Sequence, residues 1–481
     1  MQNYFAKKKE DGFMKISSKG KKAVGIVLCV ILITGIALGG FFWYFYSVGV
    51  KPSATKNISV GDGNNIRAGL ISDTQLNPYN NGEDENYYDN LIDALKILKE
   101  QKAEIIIHAG DVGDMNSKVA YKTYNKALEE VFGNDIPETI TIMGNHDTWW
   151  NTDWKHTKPK ARNFTGVIDQ SPWSHTVVNG YHFIAASPDG TENTEGYSQE
   201  VINWLDKQIQ EAINEDSSKP VFVITHHNPQ YTVYGSDEWY DNKLDPLFSK
   251  YEQVVSISGH SHYSIMDERS IYQNNYTAFT TQGLAYCNLS KLYYDPFRNG
   301  KTDMVPKEEN FPMMEIMNVG KDEVTIERWN VKENKEEKAD MRWTLSLPLS
   351  KESFKYTTEA RKAVNKAPTM DAASKVEFDP SVPSTLPTPN KEELTLPGIS
   401  FKAGNDDDFV HSYKVIVSGY KDAEYLYLSD FASGISLMSD TVRLALDKNL
   451  PNGEYKIKVY AVDSYGETSK ECVEGTINLT R

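Results

Sequence analysis

Five short apolar runs in this chain each lead into an Asp, an Asn or a His, and that placement restricts the fold more than any other feature. Residues 66–72 lead into Asp73, and residues 104–108, with Ile105, Ile106 and Ile107, lead to Asp111. Residues 139–143 lead to Asn145 and His146, residues 221–225 to His226 and His227, and residues 254–258 to His260 and His262. Continuous apolar runs of this length read as strands covered on both faces. Between them, residues 87–99, 120–132 and 199–213 repeat apolar side chains at helical spacing. Strands alternating with helices predict an α/β core. In such sheets ligands bind beyond the carboxyl ends of the strands. The five runs therefore predict that these Asp, Asn and His residues converge on one place. Carboxylate, amide and imidazole together suit Mn, Fe, Zn or Co, and a central carboxylate can bridge two such ions.

Taken singly, each residue has a plainer reading. An Asp after a strand usually caps a turn or a helix. A lone His is more often a hydrogen-bonded core or surface residue. The order of the whole set carries the inference. Asp73-Thr74-Gln75, Gly110-Asp111-Val112-Gly113-Asp114, Gly144-Asn145-His146-Asp147, His226-His227-Asn228-Pro229 and Gly259-His260-Ser261-His262 resemble the calcineurin-like metallophosphoesterase superfamily. The resemblance spans about residues 66–345. It implies a β-sandwich core flanked by helices and a phosphoesterase that uses two divalent metal ions. One ion would be held by Asp73, Asp111 and His262, the other by Asp111, Asn145, His226 and His260, with Asp111 bridging. His226 is favoured over His227 as the ligand. Gln75 stands where the family usually has His, and a neutral amide oxygen is a harder, weaker ligand than imidazole. That departure predicts a looser first site favouring Mn-like ions, or contact with a bound water.

Two such ions lower the pKa of a water between them and neutralise phosphate oxygens. His146 would stabilise the transition state or protonate the leaving oxygen, oriented by Asp114, and Asp147 would support the loop. His227, Trp149 and Trp150 are weaker candidates for substrate contact, and Tyr263 weaker still. Lys155, Lys158, Lys160 and Arg162 read as a solvated surface loop. The rival reading is an inactive metal-binding receptor or adhesion protein on the same scaffold.

Charge divides the chain. Residues 1–22 carry seven Lys against Glu10 and Asp11, and residues 23–50 contain no Asp, Glu, Lys or Arg. With a net charge of −16 overall, residues 51–481 carry −21. About 20 apolar residues span a bilayer core. The run 23–50 therefore predicts a transmembrane helix, ending in the aromatic belt Phe41 to Tyr46. The lysines before it predict a cytoplasmic N-terminus and an extracytoplasmic body. Mean hydropathy of −0.53 excludes a polytopic membrane protein. The acidic balance excludes nucleic acid as the main partner. Three cysteines exclude a disulfide scaffold, and Cys287 and Cys472 are expected free, in different domains.

The organisation expected is a basic tail (1–22), a membrane helix (23–50), a stalk (51–65), a phosphoesterase domain (66–348), a linker (349–366) and an all-β domain (367–481, its start between 367 and 396). Pro368, Pro380, Pro383, Pro387, Pro389 and Pro397 mark a change of character over residues 364–397, within which residues 382–389 predict exposed, extended chain. Leu450-Pro451-Asn452-Gly453-Glu454-Tyr455 resembles the tyrosine corner of a fibronectin type III-like sandwich. Such domains act as spacers or bind surface carbohydrate or protein.

Overall fold

The structure is a computed structural model and describes residues 52–77, 87–148, 154–189, 196–288, 292–295, 300–303, 311–385, 393–447 and 449–480. The expected basic tail and membrane helix, and Trp149 and Trp150, lie outside these residues. Among the described residues no helix is long and apolar enough to cross a membrane.

Two seven-stranded sheets form the core of the N-terminal part. One runs, in hydrogen-bonded order, Lys56–Ile58, Trp173–Val178, Tyr181–Ala186, Val221–Thr225, Val254–Ser258, Thr277–Thr280 and Ile271–Gln273. The other runs Lys335–Glu337, Glu323–Asn330, Met313–Val319, Ile66–Ile71, Ile105–His108 and Glu138–Thr141, with Trp343–Ser346 also paired to Glu323–Asn330. Both are mixed. Their central strands are parallel, so within each sheet the carboxyl ends share a direction.

The period-two alternation of strands explains the layering. Ile66, Ala68, Leu70, Ile105 and Ile107 meet Phe222, Ile224, Val255 and Ile257 between the sheets. Val221, Val223 and Val254 point the other way, against Val201, Leu205 and Ile209 of helix Gln199–Glu215. That helix starts where Ser198 accepts the backbone N–H of Val201 at 3.4 Å, an N-cap that satisfies an orphan donor. Helices Tyr87–Glu100 and Lys118–Phe132 bury their apolar faces in the same way.

The basic stretch expected as a loop is instead the helix Trp154–Ile168. Pro159 hides it in the sequence, because proline removes a helix donor. The helix is held further along, where Ala161 and Phe164 are buried and Phe164 meets Tyr121 edge-on at 5.7 Å. Between the two parts, Thr358–Val364 is a short helix capped by Thr357, and its Arg361 is buried over the rings of Tyr356 and Tyr465.

The C-terminal part holds a three-stranded sheet (Glu377–Thr385, Glu393–Lys402, Thr441–Ala445) and a four-stranded one (Ala423–Leu428, Ser412–Gly419, Gly453–Val462, Val473–Leu479). The proline-rich stretch is therefore partly a strand pair rather than free extended chain. Pro380 and Pro397 fall where the register shifts between Asp379 and Val382, so neither removes a ladder bond. The Tyr455 hydroxyl donates to the Pro451 carbonyl at 2.9 Å. Cys287 and Cys472 are both free.

This part is not a detached spacer. Phe409, Leu428, Phe431 and Ala432 join the same apolar core as the two large sheets. A buried polar cluster closes the junction. Asp267 accepts the Arg269 guanidinium through Nε at 2.8 Å and Nη2 at 2.5 Å. His411 Nε2 lies 2.8 Å from Arg269 Nη2 and 3.0 Å from Asp267 Oδ2. Burial pushes the Asp267 carboxyl up, but Arg269 and His411 outweigh it and hold it well below its usual value.

Removing one partner of a buried ion pair strands the other, at about 3–5 kcal/mol. Asp267→Asn should therefore lower the unfolding free energy by about that amount near neutral pH. A carboxyl depressed in the folded state stabilises above its unfolded pKa of about 3.9 and loses that contribution as pH falls. Urea unfolding should show the gap between wild type and Asp267→Asn closing below about pH 4. A gap independent of pH would contradict this account of the junction.

Candidate metal centre

Each ligand candidate sits just past a strand end, and backbone hydrogen bonds stitch those ends together. Asp73 N–H donates to the Gly110 carbonyl at 2.9 Å and Gln75 N–H to the Asp111 carbonyl at 3.0 Å. Gly259 N–H donates to the His226 carbonyl at 3.0 Å, and Ala285 N–H to the Asp73 carbonyl at 3.0 Å. Asp73, Gln75, Asp111, His260 and His262 all adopt left-handed backbone, with φ between 42° and 70°. Such conformations cost of order 1–3 kcal/mol each in a non-glycine residue and persist only where the surroundings over-determine them.

Asp73 and Asp111 are fully buried. Asp111 Oδ1 accepts the His146 backbone N–H at 2.9 Å. Asp111 Oδ2 has no hydrogen-bond partner; it lies 3.4 Å from His226 Nε2 and 3.9 Å from His146 Nε2. His226 Nε2 is also 2.8 Å from Asn145 Oδ1. Asp111, His226 and His260 each offer a ligand atom, all within 4.8 Å of one another. On the other side His262 Nε2 lies 3.2 Å from Asp73 Oδ1 and 3.3 Å from the Gln75 amide nitrogen.

The far nitrogens of two imidazoles are fixed from behind. His226 Nδ1 meets the Ala109 carbonyl at 2.9 Å, and His262 Nδ1 meets the Tyr286 carbonyl at 3.1 Å. A backbone carbonyl behind one ring nitrogen directs the other at the cluster, as metal-ligating His require. An orphaned buried carboxylate oxygen among inward-facing imidazoles fits a divalent cation, and the oxygen and nitrogen donors suit Mn, Fe, Zn or Co.

Charge tells the same story. Burial pulls the His226 imidazole down, but Asp111 and Asp73 push it up to about 9. Burial and the neighbouring His226 hold His227 down at about 3. Burial and the surrounding imidazoles of His227, His226, His262 and His146 hold His260 well below its ordinary value. Asp73 is depressed, because the facing His262 outweighs burial. The buried negative charge draws positive charge into the cluster.

His146 is at its edge. Its Nδ1 lies 3.2 Å from Asp114 Oδ1, and burial is outweighed by Asp114 and Asp111, which raise its pKa to about 9. Asp147 accepts the backbone N–H groups of Val112, Gly113 and Gly144 at 2.9–3.1 Å, so it braces two ligand loops. His227 stands one residue past His226, its ring 4.3 Å from that of His260. Tyr263 is fully buried against Tyr234 and takes no place in the cleft.

The sequence reading missed Gly283, Tyr286 and Trp239, and gave Gly144 of the Gly144-Asn145-His146-Asp147 block no role of its own. A Cβ at Gly144 would overlap Asp111 Oδ1. Gly283 and Tyr286 follow strand Thr277–Thr280, which is parallel to Val254–Ser258. The strand-end rule applied to that sixth strand would have found them. Trp239 lies in a loop with no such signal.

Residues 66–264 match the family model described as calcineurin-like phosphoesterase. They carry a calcineurin-like phosphoesterase domain. No curated protein matches this sequence. Among solved structures the chain is similar to a dimetal phosphatase from Danio rerio, at 13% identity over 58% of this chain and 98% of that one, with a TM-score of 0.38. It is also similar to the purple acid phosphatase PPD1 of yellow lupin, at 12% identity over 59% and 54%, TM-score 0.41. A third likeness is to GAP50 of Plasmodium, at 12% over 60% and 90%, TM-score 0.40.

A Cβ at position 283 would lie 2.5 Å from His262 Nδ1 and 3.0 Å from the Asp73 Cβ. Disturbing what orients a metal-ligating His costs about 10–100-fold in metal affinity. Gly283→Ala should therefore weaken Mn binding about tenfold or more with circular dichroism unchanged. Unaltered affinity by titration calorimetry would contradict the placement of His262.

Proposed function

We propose that this chain is a membrane-anchored, extracytoplasmic phosphoesterase whose dinuclear metal centre hydrolyses a phosphate ester. The observation that carries the reading is Asp111 Oδ2, buried without a hydrogen-bond partner among imidazoles aimed at it. In this reading Asp73, Gln75, Asp111 and His262 hold one ion, and Asp111, Asn145, His226 and His260 hold the other. When bound, two such ions supply a water of lowered pKa and neutralise phosphate charge.

The chain's own residues do the rest. Asp111 sits between the two ligand sets and fixes their spacing. The carbonyls of Ala109 and Tyr286 keep two imidazoles turned inward. Asp114 holds His146 Nδ1, leaving Nε2 to give a proton to the departing oxygen. The anchor rests on the uncharged run 23–50, and the orientation on the seven lysines before it. The C-terminal part is read as fibronectin III-like from its three- and four-stranded sheets and the Tyr455–Pro451 corner.

The test is hydrolysis of a chromogenic phosphomonoester and its diester by the full chain, with Mn, Fe(II), Zn or Co added back after chelation. Turnover should require metal. General acid catalysis contributes about 10²–10⁴-fold, so His146→Asn should lower kcat by about that factor while bound metal stays at the wild-type level. Metal bound without turnover on any ester would favour the binding-protein reading. Loss of metal in His146→Asn would make that residue a ligand instead.

A further inference from the structure

Beside the ligand cluster the chain leaves aromatic rings open to solvent. Among the described residues nine large hydrophobic side chains are exposed. Four of them, Tyr231, Trp239, Tyr240 and Tyr286, belong to the segments that follow His227 and strand Thr277–Thr280. Trp239, 38% exposed, sets its ring 5.3 Å from that of His260 at 85°. Tyr286, 37% exposed, lies on His262 at 4.1 Å and 13°. Each imidazole of Gly-His-Ser-His thus has its own aromatic neighbour with a free surface.

The rings are fixed to the loops that hold the ligands. The Trp239 carbonyl accepts Asn228 Nδ2 at 3.1 Å, and Asn228 Oδ1 accepts the Ser258 hydroxyl at 2.6 Å, on the strand that leads to His260. The Tyr286 carbonyl is the partner of His262 Nδ1. Tyr231 stacks on Tyr240 at 6.4 Å and 26°, continuing the surface along the Trp239 loop. Tyr231 has φ 58°, an uncommon conformation for a bulky residue. A core contact would bury such rings, and a solvated loop would favour polar residues.

We propose that Trp239 and Tyr286 form a platform for the organic part of the substrate, which carries a ring with a flat apolar face, as a pyranose or a nucleobase does. This deepens the phosphoesterase reading and rests on it. The polar cluster meets the phosphate. An indole and a phenol ring offer dispersion and a π-face instead, which reward a flat ring and give a ring-free alcohol nothing comparable.

The experiment uses the full chain loaded with Mn and two phosphonates that cannot be hydrolysed, methylphosphonate and phenylphosphonate. Stacking on one aromatic side chain changes affinity by roughly tenfold or more. Calorimetry should show phenylphosphonate binding the wild type roughly tenfold tighter. Trp239→Ala should abolish the preference and Trp239→Phe retain it. Kinetics should give a hexose phosphate or a nucleoside monophosphate a higher kcat/KM than glycerol phosphate, and whichever of the two leads identifies the ring. Equal binding of both phosphonates, or a preference unchanged in Trp239→Ala, overturns the platform even if esters are hydrolysed. A ring preference that Trp239→Ala removes, with no ester hydrolysed, keeps the platform and sinks the hydrolase. Should Trp239→Ala fail to fold, the wild-type preference and the Trp239→Phe variant decide.

Discussion

Two carboxylates removed from water, Asp73 and Asp111, set the terms for the rest of the structure. Each makes the other harder to ionise, and a buried charge costs several kcal/mol unless it is paired. Compensation has to come from groups of opposite or adjustable charge brought in from elsewhere in the chain. Here it comes from His226, His262 and His146, on three separate strand-end segments. Two sheets with parallel centres make that convergence possible, because their strand ends emerge in a common direction. The neutral imidazoles nearby, His227 and His260, show the limit of the arrangement. With His226 already drawing positive charge, further protonation is disfavoured. Divalent cations would resolve this, since they balance carboxylates while leaving imidazoles neutral as ligands.

The second constraint is conformational. Five residues of the cluster are held in left-handed backbone, and no single contact compensates for that. The inter-loop hydrogen bonds of Asp73, Gln75, Gly259 and Ala285, together with the Asp147 carboxylate bracing two loops, lock the cluster as one body. A pre-shaped donor set follows from this, and the aromatic residues beside it inherit the same rigidity through Asn228 and the Tyr286 carbonyl.

Much of this was legible in the sequence, for identifiable reasons. The strands at 66–71, 221–225 and 254–258 announce themselves because strands covered on both faces are continuously apolar. Their terminal Asp and His stand out against that background. Helix Trp154–Ile168 was illegible because Pro159 and the lysines suppress the helical signal, whereas its buried Phe164 depends on meeting Tyr121. Gly283 and Tyr286 lie beyond strand Thr277–Thr280, a sixth strand end that the five-run pattern left out because neither Gly nor Tyr is a ligand type that would draw notice to it. Trp239 acquires meaning only through its distance from His260. The junction with the C-terminal sheets was also invisible. His411 is 142 residues from its neighbour Arg269, and nothing in the sequence separates a buried Asp267–Arg269 pair from two surface charges two residues apart.

That junction changes how the C-terminal part is understood. Phe409 and Phe431 belong to the same apolar core as the two large sheets, and His411 meets Asp267 and Arg269 a few residues past His262, so the two parts share stability. Under the proposed function Asp111 would be shared by two cations. Elemental analysis of the full chain after dialysis against Mn, in wild type and Asp111→Asn, tests it most directly. Two ions per chain in the wild type, falling below one in the variant with esterase activity lost, is the result predicted. A wild-type chain that retains no ion, or a variant that retains as many as the wild type, would contradict it.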